Sequence, residues 1–195
     1  INSGQLPGGR EEDLKMEDWN NRVLNGFVTE RAVACCGVTA VPGEPWAVVR
    51  AAPGMDRKRY QRQYSVLRGY AVLALGRGPQ AGERVELSAL KLPGEEGADA
   101  AAAVWFARAC ESTDAAGTVM AVYQGFRALP GGPELMRSYL SPAALEQFPQ
   151  WVQAARGEEN DLGENSPEPA DRTLWAQVDR EVLCRSLRQA CLDAG

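Results

Sequence analysis

Histidine is absent from all 195 residues. It is the side chain whose ordinary pKa lies nearest neutrality, the commonest metal ligand, and the usual base beside a nucleophilic serine or cysteine. Its absence excludes Ser-His-Asp and Cys-His catalysis, together with histidine-ligated zinc, iron and copper. Carboxylate, lysine, tyrosine and bare-thiolate chemistry remain. Cysteine is sparse and scattered, at Cys35, Cys36, Cys110, Cys184 and Cys191, and forms no Cys-x-x-Cys pair. A cysteine-only metal site needs two such pairs, so no metal is expected. A ring between the neighbours Cys35 and Cys36 is strained. Cys184 and Cys191, on one helix, stand about 10 Å apart along its axis, too far for a disulfide. All five are therefore read as reduced thiols of a cytoplasmic protein.

Long apolar runs are missing as well. None approaches the roughly 18 residues of a spanning helix, and the first residues lack the basic-then-apolar order of a secretory signal. Positive charge is also short. A net charge of −5 and a pI near 5.0 argue against general affinity for nucleic acid or an anionic membrane.

What is present reads as a folded chain: 45% hydrophobic and 24% charged residues fall in the globular range. The length suits one main domain with an appendage. Residues 1–12 (INSGQLPGGREE) read as a loose arm. Asp13 is placed to cap a short helix carrying Met16, Trp19, Val23 and Phe27 at steps of three and four. Two apolar runs, Ala32 to Val41 and Trp46 to Ala52, flank the turn Pro42-Gly43-Glu44-Pro45 and predict adjacent antiparallel strands. Residues 56–68 predict a helix with Tyr60, Tyr64 and Leu67 on one face, Tyr70 to Leu75 a third strand, and Arg84 to Leu92 a fourth. The glycine-rich GRGPQAG segment between the last two lacks the Lys-Ser/Thr ending of a P-loop and is read as a hairpin loop.

Beyond Pro93 the pattern turns helical. Asp99 to Glu111 is alanine-rich, and Val119, Val122, Tyr123 and Phe126 place residues 117–128 in a second helix. Ser141-Pro142 opens a short one, as an N-cap followed by proline at the first helical position. Two prolines and a run of acids over Glu158 to Asp171 predict a linker, and Thr173 to Leu192 a last helix. Early strands and late helices make an α+β fold: an antiparallel sheet of about four strands over residues 32–92, helices packed on one face, and a helical C-terminal half. The expected divisions are the arm 1–12, a main domain 13–156, the acidic linker 157–172, and a C-terminal helix 173–195 packing on the main domain or on a partner.

Two sets of residues stand out as candidate sites. Arg57, Lys58, Arg59 and Arg62, interleaved with Tyr60 and Tyr64, combine cations and rings that grip phosphate or stack on a nucleobase, against the plainer reading of a solvated helix face. On the last helix Leu174, Trp175, Val178 and Val182 form one apolar stripe, while Leu183, Leu187, Ala190 and Cys191 form another. A helix apolar on two sides needs two surfaces to bury them, one its own domain and the other a partner. Cys35-Cys36 lies in an apolar run, where histidine cannot supply the cationic neighbour an activated thiolate needs, and reads as buried core; no pair of carboxylates is fixed across a pocket. The expectation is a non-catalytic cytoplasmic interaction or regulatory protein, a component of a larger protein assembly, without catalytic residues, cofactor or metal. The alternatives are a nucleotide- or nucleic-acid-binding module using residues 57–64, and a histidine-independent enzyme using a thiolate or carboxylates.

Overall fold

The two β-branched runs on either side of the Pro-Gly-Glu-Pro turn pair as expected. In the computed structural model β1 (Val38–Ala40) and β2 (Trp46–Val49) run antiparallel, with Val38 opposite Val49 and Ala40 opposite Ala47. The structure describes residues 38–40, 44–49, 61–80, 82–91, 96–160 and 169–195. The N-terminal arm, the helix expected after Asp13, Cys35 and Cys36 all lie outside these residues. Contacts divide the chain into two units, Ile1–Leu75 with Pro79–Glu96 and Gly76–Gly78 with Gly97–Gly195. The division therefore falls within the span 13–156 that the sequence reads as one domain.

In the first unit β3 (Arg84–Glu86) adds to β2 antiparallel, giving the order β1-β2-β3. Ala47 and Val85, opposite each other, are buried, while Arg84 and Glu86 face solvent and the Arg84 guanidinium lies 4.5 Å from the Trp46 ring centroid. The strand expected to reach Leu92 ends after Glu86, where a 3-10 turn (Leu87–Ala89) brings Leu90 into the core. The third strand expected at Tyr70 to Leu75 is the second half of a helix, α1 (Gln61–Leu75). A six-residue apolar run has no period that separates strand from buried helix; here it continues the stripe begun by Val66 and Leu67, and Tyr70, Ala71, Val72 and Leu73 are buried with them. The sheet thus has three short strands among the described residues, in place of about four, and the fold is mixed and helix-rich.

Gly76, with φ of +77°, takes the left-handed conformation that ends helices. GRGPQAG is therefore a helix-to-strand connection and not the expected hairpin loop. It is fastened by Gln80, whose N–H donates to Glu83 Oε1 at 2.7 Å.

The second unit is all helix among its described residues. Asp99 precedes α2 (Ala100–Glu111), and Asp114 caps α3 (Ala115–Ala128), its Oδ1 accepting from Gly117 N at 2.7 Å. A 3-10 turn (Gly132–Leu135) leads into the one-turn α4 (Met136–Tyr139). Ser141 opens α5 (Pro142–Asn160) as expected, its Oγ accepting from Ala144 N at 3.2 Å, but this helix runs for 19 residues and is not short. Pro149 sits in it on the exposed side, while Phe148, Trp151, Val152 and Ala155 face the core. The expected linker 157–172 begins inside α5 and ends inside α6 (Pro169–Ala176); residues 161–168 between them lie outside the described residues.

The last helix divides as well. Gln177 and Val178 close α6 by donating to Leu174 O and Trp175 O, and Asp179 then caps α7 (Arg180–Ala194), accepting from Val182 N at 3.2 Å. At the centre, α3 packs against α2, α5 and α7. Phe106, Val119, Val122, Phe126, Phe148, Leu183 and Leu187 fill the space between them.

Candidate functional site

The chemistry-bearing side chains of the second unit gather along α7. One stripe of this helix is fully committed inward. Leu183, Leu187, Ala190 and Cys191 are all buried, and Leu187 lies directly over Gly125 of α3, where a side chain would collide with it. The other expected stripe is broken up: Leu174 and Trp175 belong to α6, Val178 lies in the break, and only Val182 is on α7. Trp175 is tied back to α5, its Nε1 donating to Glu158 Oε1 at 2.7 Å. The two-sided apolar helix inferred from the sequence is thus two helices, and the reason is the N-cap at Asp179, which ends one hydrogen-bond ladder and starts another. Among the described residues, Leu192 is the exposed large hydrophobic side chain.

Arg180, the first residue of α7, fixes the helix against the connection between α2 and α3. Its guanidinium donates to Ser112 O, to Thr113 O at 3.5 Å and to Thr118 Oγ1 at 3.0 Å. Arg180→Ala removes these charge-assisted bonds and leaves the part-buried Ser112 O and Thr118 Oγ1 without that donor, so a loss of about 2 kcal/mol is expected. Urea denaturation with Arg180→Lys alongside checks this; full recovery by lysine, which lacks the planar fork, would contradict the geometry.

One turn beyond Arg180, Cys184 meets Cys110, at the end of α2, where the two helices pack. Both residues are half-buried free thiols. The hydrogen bond from Cys110, helped by the Arg180 charge, pulls the Cys184 thiol below its ordinary value, although burial and Glu181 oppose this. Cys110 moves the other way, raised by the hydrogen bond with Cys184, by burial and by the charge on Cys184. Nothing in the sequence pairs these two residues, which are distant in the chain and come together only because α7 returns to α2.

Cys191, by contrast, is sealed in the core. Burial, then the charge of Asp99, push its thiol from an ordinary 9.0 to about 12. The unfolded chain gives up this proton near 9.0, whereas the folded one keeps it to about 12. The contribution of this group to stability is therefore complete below the first value and lost as pH rises towards the second. Cys191→Ala is expected to flatten the alkaline fall of the urea midpoint; an unchanged slope would show that the thiol is not sealed.

The outward side of α7 borders a shallow, open cavity of about 340 Å³ between it and α4, lined by Ser138, Tyr139, Val182, Arg185, Ser186 and Gln189. Tyr139 is held there by its hydroxyl, which donates to Asp193 Oδ2 at 2.7 Å, and the same bond raises its pKa. Ser186 Oγ donates to Val182 O at 2.9 Å and lies 3.2 Å from Tyr139 O. Of these residues, the sequence reading named Val182 alone; a half-polar groove leaves no periodic signal.

The basic segment falls largely outside the described residues. Arg57, Lys58, Arg59 and Tyr60 are not among them, and Arg62 and Tyr64 fall in the first turn of α1, where the side chains are not described. A basic and aromatic cluster does occur elsewhere: the guanidiniums of Arg127 and Arg156 lie 5.9 and 5.5 Å from the Tyr123 ring centroid. No group of three potential metal-ligating side chains occurs among the described residues, and no described helix is long and apolar enough to cross a membrane. Comparison of the chain with protein-family models, curated proteins and solved structures finds no match.

Proposed function

We propose that the chain is a non-catalytic interaction or regulatory protein of the cytoplasm, one component of a larger protein assembly, and that it offers the outward side of α7 to its partner. The observation that supports this reading is the division of labour on α7: Leu183, Leu187 and Cys191 are used up inside the unit, while Val182, Arg185 and Gln189 border an open groove with Tyr139. An aromatic ring, an aliphatic side chain and an arginine beside hydrogen-bonding groups match the make-up of protein interfaces, where aromatic residues and arginine are enriched. Photo-crosslinking residues placed at Arg185 and at Gln189 in the full chain, in its native host, are expected to trap one common protein species. The same residue at the exposed Gln153 of α5 is expected to trap none. Equal capture from all three positions, or from none, would remove α7 as the contact surface.

A second reading, binding of nucleotide or nucleic acid, has support at Tyr123, where guanidiniums from two helices flank one ring. Such an arrangement suits a phosphate beside a stacked base. If it operates, a fluorescent oligonucleotide binds saturably at low salt, and Arg127→Glu with Arg156→Glu weakens binding and flattens its salt dependence. Absence of saturable binding by the unaltered chain would dispose of this reading.

A further inference from the structure

Cys110 and Cys184 approach one another where α2 and α7 pack, beside the bond from Arg180 to Ser112 O. They sit on two packed helices, at the last turn of α2 and in the second turn of α7. Each is half-buried, so a small reagent reaches them, whereas the third described cysteine, Cys191, is fully buried. Arg180 is anchored one turn before Cys184 by its bonds to Ser112 O and Thr118 Oγ1, which holds a fixed positive charge beside one member of the pair.

We propose that Cys110 and Cys184 are a modification site, closing to a reversible intrachain disulfide that ties α2 to α7 when the chain meets a low-molecular-weight disulfide of the glutathione type. Cys184 is the attacking thiol. As thiolate it attacks one sulfur of the small disulfide, the sulfur–sulfur bond of that molecule breaks, and one small thiolate leaves and takes up a proton. Cys110 then loses its proton to water and attacks the Cys184 sulfur of the mixed disulfide, expelling the second small thiolate, which is protonated in turn. Two protein thiols are oxidised and one small disulfide is reduced to two thiols. The roles follow from the surroundings: Arg180, anchored one turn before Cys184 by its bonds to Ser112 O and Thr118 Oγ1, sets a fixed positive charge beside Cys184 and favours the thiolate there, while Cys110 stands next to the acidic Glu111. Because the bridge closes a long loop between distant parts of the chain, the oxidised form is more resistant to unfolding. It also fixes α7 at the position where its outward groove is formed. A transient disulfide of this sort is compatible with a reducing compartment.

The test is incubation of the full chain with mixtures of oxidised and reduced glutathione, followed by acid quenching, alkylation and peptide mapping. A linked Cys110–Cys184 peptide is expected, reversed by dithiothreitol, and the oxidised chain should melt higher than the reduced by at least about 5 °C. Cys110→Ser is expected to accumulate a glutathione adduct on Cys184, because the resolving thiol is gone. Cys184→Ser should form an adduct on Cys110 more slowly, because the Arg180 charge anchored beside position 184 survives in both variants, whereas the neighbour of Cys110 is the acidic Glu111. Mapping of the unaltered chain needs no variant. Linkage of either residue to a different cysteine, or no linkage under any mixture, would overturn the proposal. Equal adduct rates in the two variants would overturn the assignment of Cys184 as attacker.

Discussion

Replacing Leu187 by alanine is expected to lower the stability of the helical unit by about 3 kcal/mol, the middle of the range for deleting a buried leucine side chain. Leu187 has no exposure to solvent, and it is set over Gly125 of α3 on a helix that also packs against α2. The packing around it comes from several helices, so the site cannot close by the movement of one side chain, and much of the vacated volume stays as a cavity. Urea denaturation monitored by far-UV circular dichroism gives the value directly, with an unchanged m-value as evidence that only stability has moved. A loss below about 1 kcal/mol would fit a leucine at a half-exposed surface and would mean that α7 is not seated as described.

The second large effect is expected at Gly125 itself. Alanine in a helix interior is ordinarily better than glycine by about 1 kcal/mol. At Gly125 a Cβ would stand 2.5 Å from Leu187 Cδ2 and 2.8 Å from Cδ1. Overpacking of this kind costs about 1–3 kcal/mol, so Gly125→Ala should come out net destabilising and Gly125→Val more strongly so. The exposed Gly157 of α5 has nothing within 4 Å, and Gly157→Ala should gain most of the helix-propensity term. Opposite signs for one chemical change separate packing from propensity. Combining the two sites sharpens the comparison: in a Leu187→Ala background the added methyl enters vacated space, and Gly125→Ala is expected to turn from harmful to helpful, with a coupling of at least about 1 kcal/mol. Simple additivity would place the two residues out of contact.

The residues that could be read from sequence were those whose local preference and tertiary surroundings agree. Alanine-rich Ala100–Glu111, with Phe106 facing the core, is helical on propensity alone. The pairing of Val38 with Val49 across the Pro-Gly-Glu-Pro turn follows from composition and turn chemistry. Tyr70 to Leu75 was not readable because six consecutive apolar residues fit a buried strand or a buried helix equally well, and only the stripe running on from Val66 decides. The break before α7 was marked by Asp179, a good N-cap, but a continuous row of apolar residues on both sides of it concealed the signal. The site was less legible than the fold. Leu183, Leu187 and Cys191 share one buried stripe of α7, as their spacing implies, whereas a single helix holding Leu174 and Trp175 with Val182 requires a ladder that Asp179 interrupts. The contact of Cys110 with Cys184 and the groove beside Tyr139 depend on how α7 returns to α2 and α4, which no local pattern encodes.

Both the contact surface and the thiol pair require that α7 be docked through its Leu183, Leu187 and Cys191 stripe in the isolated chain, before any partner binds. Amide hydrogen exchange measured by NMR tests this most directly. The amides of residues 183–191 are expected to be protected to the same degree as those of residues 119–126 in α3, opening only with the whole unit. Exchange of residues 183–191 at rates near those of a free peptide, while α3 stays protected, would contradict it.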